Sequence, residues 1–229
     1  MMLCQSVEEI LIDDLESVLK RPASEVDYID IFKVQVVLMY EWLLRLEEFN
    51  AIENPCDKSK MLQSFALRYM LLDNVFHAVE LGISDRIVLV NNTFISPGQA
   101  PDIVCDDNEN SRTLKDIMYG QKSVQLIDEL IAPMISMNFT IGEMMALRLI
   151  MFWNPSELSL SLETKNITRL ASDRAVNELH RWYFDQNFKA VDTRLGNDHV
   201  KCMTEMVKLI PSFGTLSERD VYLEKILNS

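Results

Sequence analysis

The stretch that most constrains this chain runs from Asp27 to Leu81, and its centre is the block Ile31 to Phe49, IFKVQVVLMYEWLLRLEEF. Between Ile29 and Leu46 apolar side chains fall on almost every turn and almost every side. In a soluble fold this pattern predicts a helix buried on most of its faces. It does not predict a membrane span. Lys33, Gln35, Glu41 and Arg45 interrupt the run, each charged one costing about 2.5–3.5 kcal/mol at a bilayer centre. No unbroken apolar segment reaches the roughly 18 residues of a candidate span. After the connection Asn50 to Asp57, a second helix is predicted over Lys58 to Leu81, with Gly82 as its stop.

With 229 residues, 48% of them hydrophobic, the chain is long enough for one domain that buries roughly 70% of its unfolded surface. Only 6 Gly and 7 Pro punctuate it, which favours an all-α fold. Ser6 with Glu9 reads as a capping box, opening a helix that Pro22 must end. Residues 21 to 27 read as a polar connection. After the two central helices the period changes: Ile87 to Val90, the turn Asn91-Asn92-Thr93 and Phe94-Ile95 predict a short β-hairpin. Residues 96 to 112 read either as a mobile loop or as an ordinary surface loop. A helix from Thr113 to about Met137 carries Pro133, which is expected to bend its last turn. Thr140 and Glu143 form another capping box, and the helix they open must stop near Asn154-Pro155. A further helix, about Ser161 to Phe188, is expected to bury Ile167, Leu170, Ala171, Val176, Leu179 and Tyr183. A last helical stretch starts at Arg194.

Chemistry is hard to find in this pattern. The net charge of −13 argues against autonomous nucleic-acid binding, which needs Lys and Arg to replace counterions along the phosphates. Cys4, Cys56, Cys105 and Cys202 are dispersed without zinc-module spacing and read as reduced thiols. Glu8, Glu9, Asp13, Asp14 and Glu16 spoil a secretory leader, so the sequons at Asn91, Asn138 and Asn166 are expected to stay unmodified. His77, His180 and His199 fall in separate segments, and no phosphate loop, GxSxG or HExxH occurs. No catalytic residue, metal site or cofactor is therefore expected. The 13 methionines suit a cavity or an adaptable peptide surface, and equally an ordinary helical core.

The order of elements and several short motifs resemble the ligand-binding domain of a nuclear hormone receptor, most of all the nematode group related to hepatocyte nuclear factor-type receptors. Glu41-Trp42, Phe49, Ile52, Asp57-Lys58 and Met61-Leu62 are similar to the signature that joins the family's third, fourth and fifth helices. FALRYMLLDNVFHAVELG is similar to its fifth helix, Glu143 with Phe152-Trp153-Asn154-Pro155 to its eighth, and Leu209-Ile210-Pro211 to its tenth. The resemblance covers nearly the whole chain, 1–229, as a single domain. It implies a three-layer antiparallel helical sandwich with a short β-hairpin, a lipophilic cavity, a coregulator groove and a dimer surface.

By that resemblance the pocket-facing positions are Val34, Val37, Leu38, Leu67, Met70, Leu71, Asn74, His77 and Leu223, with plain core packing the alternative at each. The coregulator groove is carried to Tyr40, Leu44, Ser59, Leu62 and Gln63, the dimer surface to Met206, Lys208, Ser212 and Arg219, and a structural ion pair to Glu143 and Arg194. The departures matter as much. His77 stands where fatty-acid- and retinoid-binding relatives carry an arginine, which points to a neutral lipophile, a filled cavity or no ligand, because histidine is a smaller, titrating donor. Leu44 replaces the usual clamp lysine and Gln63 a basic position, leaving Arg45, Lys58 and Lys60 nearby. The chain stops at LEKILNS, where relatives continue into an activation helix, and it lacks the eight cysteines of the family's DNA-binding module. The expectation is a transcription regulator module of the nucleus, with the cytoplasm as a second compartment. It would bind a lipophilic ligand, dimerise with other receptors or itself, and meet coregulator proteins, with no direct DNA contact and no membrane. The alternative is a ligand-independent interaction protein that sequesters receptor partners or corepressors.

Overall fold

The computed structural model describes residues 19–97, 121–154, 159–189 and 208–212. Helix α1 (Glu25–Leu43) opens on a reciprocal cap that the polar reading of residues 21 to 27 overlooks. The Ser24 hydroxyl accepts the Asp27 amide, and the Asp27 carboxylate accepts the Ser24 amide at 2.8 Å. Such a cap contributes about 1 kcal/mol. After Leu43 the backbone turns and re-enters as the short α2 (Glu47–Ala51), so the block Ile31–Phe49 is two helices instead of one. Helix α3 (Pro55–Glu80) starts three residues earlier than expected. Pro55 suits the first helical turn, and the Asn54 side chain accepts the amides of Cys56 and Asp57 at 3.0 and 3.4 Å. Gly82, at φ +68°, ends it as predicted.

The hairpin is present: β1 (Ile87–Val88) pairs antiparallel with β2 (Phe94–Ile95), Ile87 opposite Ile95 and Val88 opposite Phe94. Asn92 takes the left-handed φ of 65° that the turn requires. Residues 20–23 run beside β2: the Ala23 amide donates to the Phe94 carbonyl at 2.8 Å, and the Phe94 amide to the Arg21 carbonyl at 3.1 Å. Ala23 is fully buried there.

Beyond the hairpin, α4 (Gln121–Leu126) passes through a π-helical turn, Ile127–Ile131, into α5 (Ala132–Ser136). Pro133 explains the widened turn, because it has no N–H to give the carbonyl four residues back and its ring crowds that carbonyl. The turn buries Ile127, Leu130 and Ile131 and leaves Asp128 and Glu129 outside. Helix α6 (Ile141–Phe152) carries the expected capping box of Thr140 with Glu143. Helix α7 (Leu162–Lys189) follows, and residues 208–212 are helical, with Leu209 in the core.

Helix α3 is the hub. It packs on α1, α6, β1 and the π-helical turn, while α7 lies on α6 and α2, giving the helical sandwich. Aromatic rings join the layers: Phe65 of α3 lies 5.0 Å from Phe152 of α6, and Trp42 of α1 lies 6.2 Å from both Phe65 and Tyr69. Asp57, buried in the first turn of α3, accepts the Ser161 hydroxyl at 2.6 Å, the Ser161 amide at 3.1 Å and the Thr164 hydroxyl at 2.8 Å. It thereby ties the starts of α3 and α7 together, and these donations, Ser161 first, hold its carboxyl below the usual range against the opposing effect of burial.

Two burial expectations are corrected. Helix α1 is not buried on most faces: Ile31, Phe32, Gln35, Met39 and Leu43 face inward, whereas Val34, Val37, Leu38, Tyr40 and Leu44 are exposed. On α7 the inward stripe is Thr164, Thr168, Ala171, Ala175, Leu179 and Tyr183, so Leu170, about 100° around from Ala171, is exposed. The helix expected from Ser6, most of the loop expected over 96 to 112, the start of the helix at Thr113 and most of the stretch from Arg194 lie outside the described residues.

Candidate functional site

The inner faces of α1, α3 and α6 meet at a polar node inside an apolar frame. Gln35 of α1 donates through Nε2 to Asp73 Oδ2 of α3 at 3.4 Å, and Arg148 of α6 donates to Asp73 Oδ1. The Arg148 guanidinium lies 4.5 Å from the centre of the Tyr69 ring and 5.6 Å from that of Trp42. Burial raises the Asp73 carboxyl above its ordinary value, and Arg148 pulls it back. Burial likewise raises the Tyr69 phenol. Sequence reasoning named Gln35 only as an interruption and missed Asp73 and Arg148. The signal was there, because each charge stands alone in an apolar run, YMLLDNVF and MMALRLIMF.

Beside the node, Phe32 and Met70 form a small apolar cluster between α1 and α3, with Val36 and Leu67 packed on it. The predicted pocket positions therefore divide. Leu67 and Met70 belong to this cluster, and Leu71 is half-buried against the main core. Asn74 and His77 face the hairpin: Asn74 Oδ1 accepts the Val90 amide at 3.3 Å, and His77 Nε2 lies 2.7 Å from Asn92 Oδ1, the ring N–H donating. Val34, Val37 and Leu38 lie on the exposed face of α1, and Leu223 is outside the described residues. The expectation that these positions share one lining is corrected on this point. A turn amide and a turn side chain need partners near α3, and Asn74 and His77 supply them.

The groove positions are surface positions: Tyr40, Leu44, Ser59 and Gln63 are exposed, and Leu62 is half-buried. Of the nearby cations, Lys58 sits 5.2 Å from the Phe49 ring centre, Lys60 donates to the Ser159 carbonyl at 2.8 Å, and Arg45 is exposed. Of the dimer-surface positions, Lys208 is exposed and Ser212 half-buried; Met206 and Arg219 lie outside the described residues. Glu143 is buried and accepts the Thr140 amide and hydroxyl, both at 2.8 Å, and the Tyr183 hydroxyl at 2.8 Å. Its expected partner Arg194 is outside the described residues. Among the described residues no group of three or more His, Cys, Asp or Glu side chains could hold a metal ion, and no helix is long and apolar enough to cross a membrane.

The described residues thus form a helical sandwich hubbed on α3, with a hairpin hooked to that helix. A sequence model described as the ligand-binding domain of nuclear hormone receptor matches residues 16–221. The chain belongs to this family. Three proteins of Caenorhabditis elegans are similar to this ligand-binding domain. The nuclear hormone receptor family member nhr-80 is 26% identical over 170 residues, covering 72% of this chain and 32% of that protein. Family member nhr-69 is 24% identical over 204 residues, covering 84% and 47%. Family member nhr-64 is 22% identical over 218 residues, covering 91% and 54%. The ligand-binding domain thus spans about a third to a half of the length of these curated relatives.

Proposed function

We propose that this domain is the sensing and docking part of a nuclear-receptor-type transcription regulator, acting in the nucleus, that binds a neutral lipophilic molecule and pairs with another receptor chain. The observation that carries this reading is the two-sidedness of α1. Its inner face completes the core, while Val34, Val37 and Leu38 present a second apolar face at the surface, which a purely structural helix has no reason to keep. The engagement of His77 with Asn92 supports a neutral ligand over an acid, since this donor is already committed to the hairpin. Tyr40, Leu44 and Leu62 offer coregulators an apolar surface without a lysine at its Leu44 end, so LxxLL-type helices, which rely on a charged clamp for their ends, bind weakly.

Native mass spectrometry of the purified chain, paired with thermal unfolding, tests this. A neutral lipophile should co-purify non-covalently, and re-adding it at a hundred times its Kd should stabilise the chain by about 2.7 kcal/mol. A stoichiometric fatty acid released by His77→Ala would refute the neutral-ligand reading. A chain that stays empty while forming stable receptor heterodimers would establish the ligand-independent interaction protein instead.

A further inference from the structure

The outer face of α1 carries a charge pattern of its own. Among the described residues twelve large apolar side chains stand exposed, and five of them, Val34, Val37, Leu38, Tyr40 and Leu44, fall within one stretch of eleven residues. Each is 43% to 56% exposed. The rest are spread along the chain from Val26 to Phe184, so α1 holds a patch where elsewhere there is only the ordinary scatter of surface apolar groups. Asp30 and Lys33 frame the patch at one end, and Glu41 and, in the turn after the helix, Arg45 at the other; all four are exposed. Steps of four place Lys33, Val37, Glu41 and Arg45 along one ridge and Asp30, Val34 and Leu38 along the next. Asp30 and Lys33 lie 3.8 Å apart with side chains 67% and 65% exposed, a contact that in water uses little of either charge.

The four charges and the apolar patch share one midpoint. Lys33 and Glu41 are centred on Val37, as are Val34 and Tyr40, and Asp30 and Arg45 are centred between Val37 and Leu38. From its N-terminal end the face reads negative, positive, apolar, negative, positive. From its C-terminal end every sign is reversed. A copy laid antiparallel, Val37 on Val37, therefore sets Lys33 against Glu41 and Asp30 against Arg45, each twice, whereas a parallel copy sets like against like. This is the condition for a contact on a twofold axis, in which residue i meets j and j meets i. At 1.5 Å per residue the inner pair stands about 6 Å from the axis and the outer about 11 Å, within reach of long side chains on helices about 8–10 Å apart. A peptide or another segment of the chain has no twofold symmetry for such a pattern to match.

We infer that the outer face of α1 is a self-association surface, through which two copies of this chain pair antiparallel with Val37 on the twofold axis. Val34 of each copy meets Tyr40 of the other, and the Lys33–Glu41 and Asp30–Arg45 pairs close the rim and fix the register. This rests on the reading of the domain as one that pairs with another receptor chain, and it names that chain and the face it uses. Between Asp30 and Arg45 each copy offers nine exposed side chains, against about 20–30 in a standard interface. The pairing is therefore weak and follows concentration. Tyr40 and Leu44 also stand among the groove positions, so a paired copy covers part of the surface offered to coregulators.

Sedimentation equilibrium of the full chain over about a hundredfold range of concentration tests this. The chain should pass from monomer to dimer, and the dimer should weaken as salt screens the rim charges. Lys33→Glu and Glu41→Lys should each weaken pairing about tenfold or more, because each sets two like-charged pairs across the axis. Mixed in equal amounts, the two variants should pair within about threefold of wild type, because the mixed dimer regains both opposite-charge pairs. Val37→Glu, with two carboxylates on the axis, should abolish pairing, and Leu170→Glu, at an exposed position of α7, should leave it unchanged. Circular dichroism checks that each variant folds; should Val37→Glu fail, Val37→Ser takes its place. A chain that stays monomeric throughout overturns the surface; if it still carries a lipophile or pairs with a different receptor, the wider reading stands, and if it does neither, both fall. Variants that weaken pairing but do not rescue one another, or a dimer indifferent to Val37→Glu, place the contact elsewhere and overturn the proposal. So does a monomer whose melting temperature falls with Val37→Glu, which would assign the face to the chain's own residues, or one that loses only LxxLL-peptide binding, which would assign it to a coregulator.

Discussion

Removing Arg148 alone and together with Asp73 separates a functional polar node from an ordinary stabilising ion pair. Arg148→Met keeps much of the side-chain volume over Tyr69 and Trp42 but leaves the mostly buried Asp73 carboxylate, its side chain 18% exposed, with only the 3.4 Å contact from Gln35. Taking one partner from a buried pair costs about 3–5 kcal/mol. At about 2–4 °C per kcal/mol for a domain of this size, the melting temperature should fall by roughly 6–20 °C. The deficit should shrink on acidification. Burial raises the Asp73 carboxyl, so below its folded pKa the group is neutral and its burial is no longer opposed; as pH rises through that pKa the deficit returns. Asp73→Leu combined with Arg148→Met should lie within about 1 kcal/mol of wild type or above it, because apolar replacement of a whole buried pair is often neutral or stabilising. Urea unfolding followed by tryptophan fluorescence measures all four corners of the cycle; with Asp73→Leu alone costing the same about 3–5 kcal/mol, the coupling should be at least about 5 kcal/mol. A single-variant cost below about 1 kcal/mol, or strict additivity, would show that water reaches the node and would refute the reasoning.

Other expectations follow from single contacts. A Cβ on Gly142 would meet the Trp182 ring at 2.7 Å, so Gly142→Ala should cost about 1–3 kcal/mol by overpacking where α6 meets α7, and an unchanged melting curve would show that the indole can retreat. Tyr183 is fully buried and donates to Glu143 at 2.8 Å; Tyr183→Phe should cost about 1.5–3 kcal/mol, typical of a bond to a charged acceptor, read by urea titration. Arg21 first, then Ser24, hold the Asp27 carboxyl down at about 2 against the effect of burial. A depressed carboxyl contributes stability above its unfolded pKa, near 4, and loses it as pH falls toward 2. Because Arg21 is more than half exposed, screening limits this to about 1 kcal/mol. Arg21→Gln should match wild type at pH 2 and fall short of it at pH 6, and a constant difference across that range would contradict the assignment.

Local chemistry was the legible part of this molecule. The Thr140–Glu143 box, the Gly82 stop, the hairpin turn at Asn92 and the helix end ahead of Asn154-Pro155 depend on neighbours a few residues apart, so the sequence carries them complete. The family resemblance is of the same kind, being order and spacing along one dimension. Helix ends chosen by caps of lesser fame, Ser24 with Asp27 and Asn54 with Pro55, were readable by the same rules but overlooked.

Whatever depends on which face turns inward belonged to the tertiary structure. The block Ile31–Phe49 is apolar all round, so periodicity could not say that Val34, Val37 and Leu38 would be exposed while polar Gln35 would be buried. Only a partner decides that, and the partner, Asp73, lies 38 residues further on. The same holds for His77: the resemblance carried it to the pocket, yet the folded chain brings Asn92 to it. The sequence by itself therefore determined most of the described helices, their order and the family. The structure decided which charges meet, because a buried ion pair such as Asp73 with Arg148 needs two helices 75 residues apart to be packed side by side before either charge can leave water.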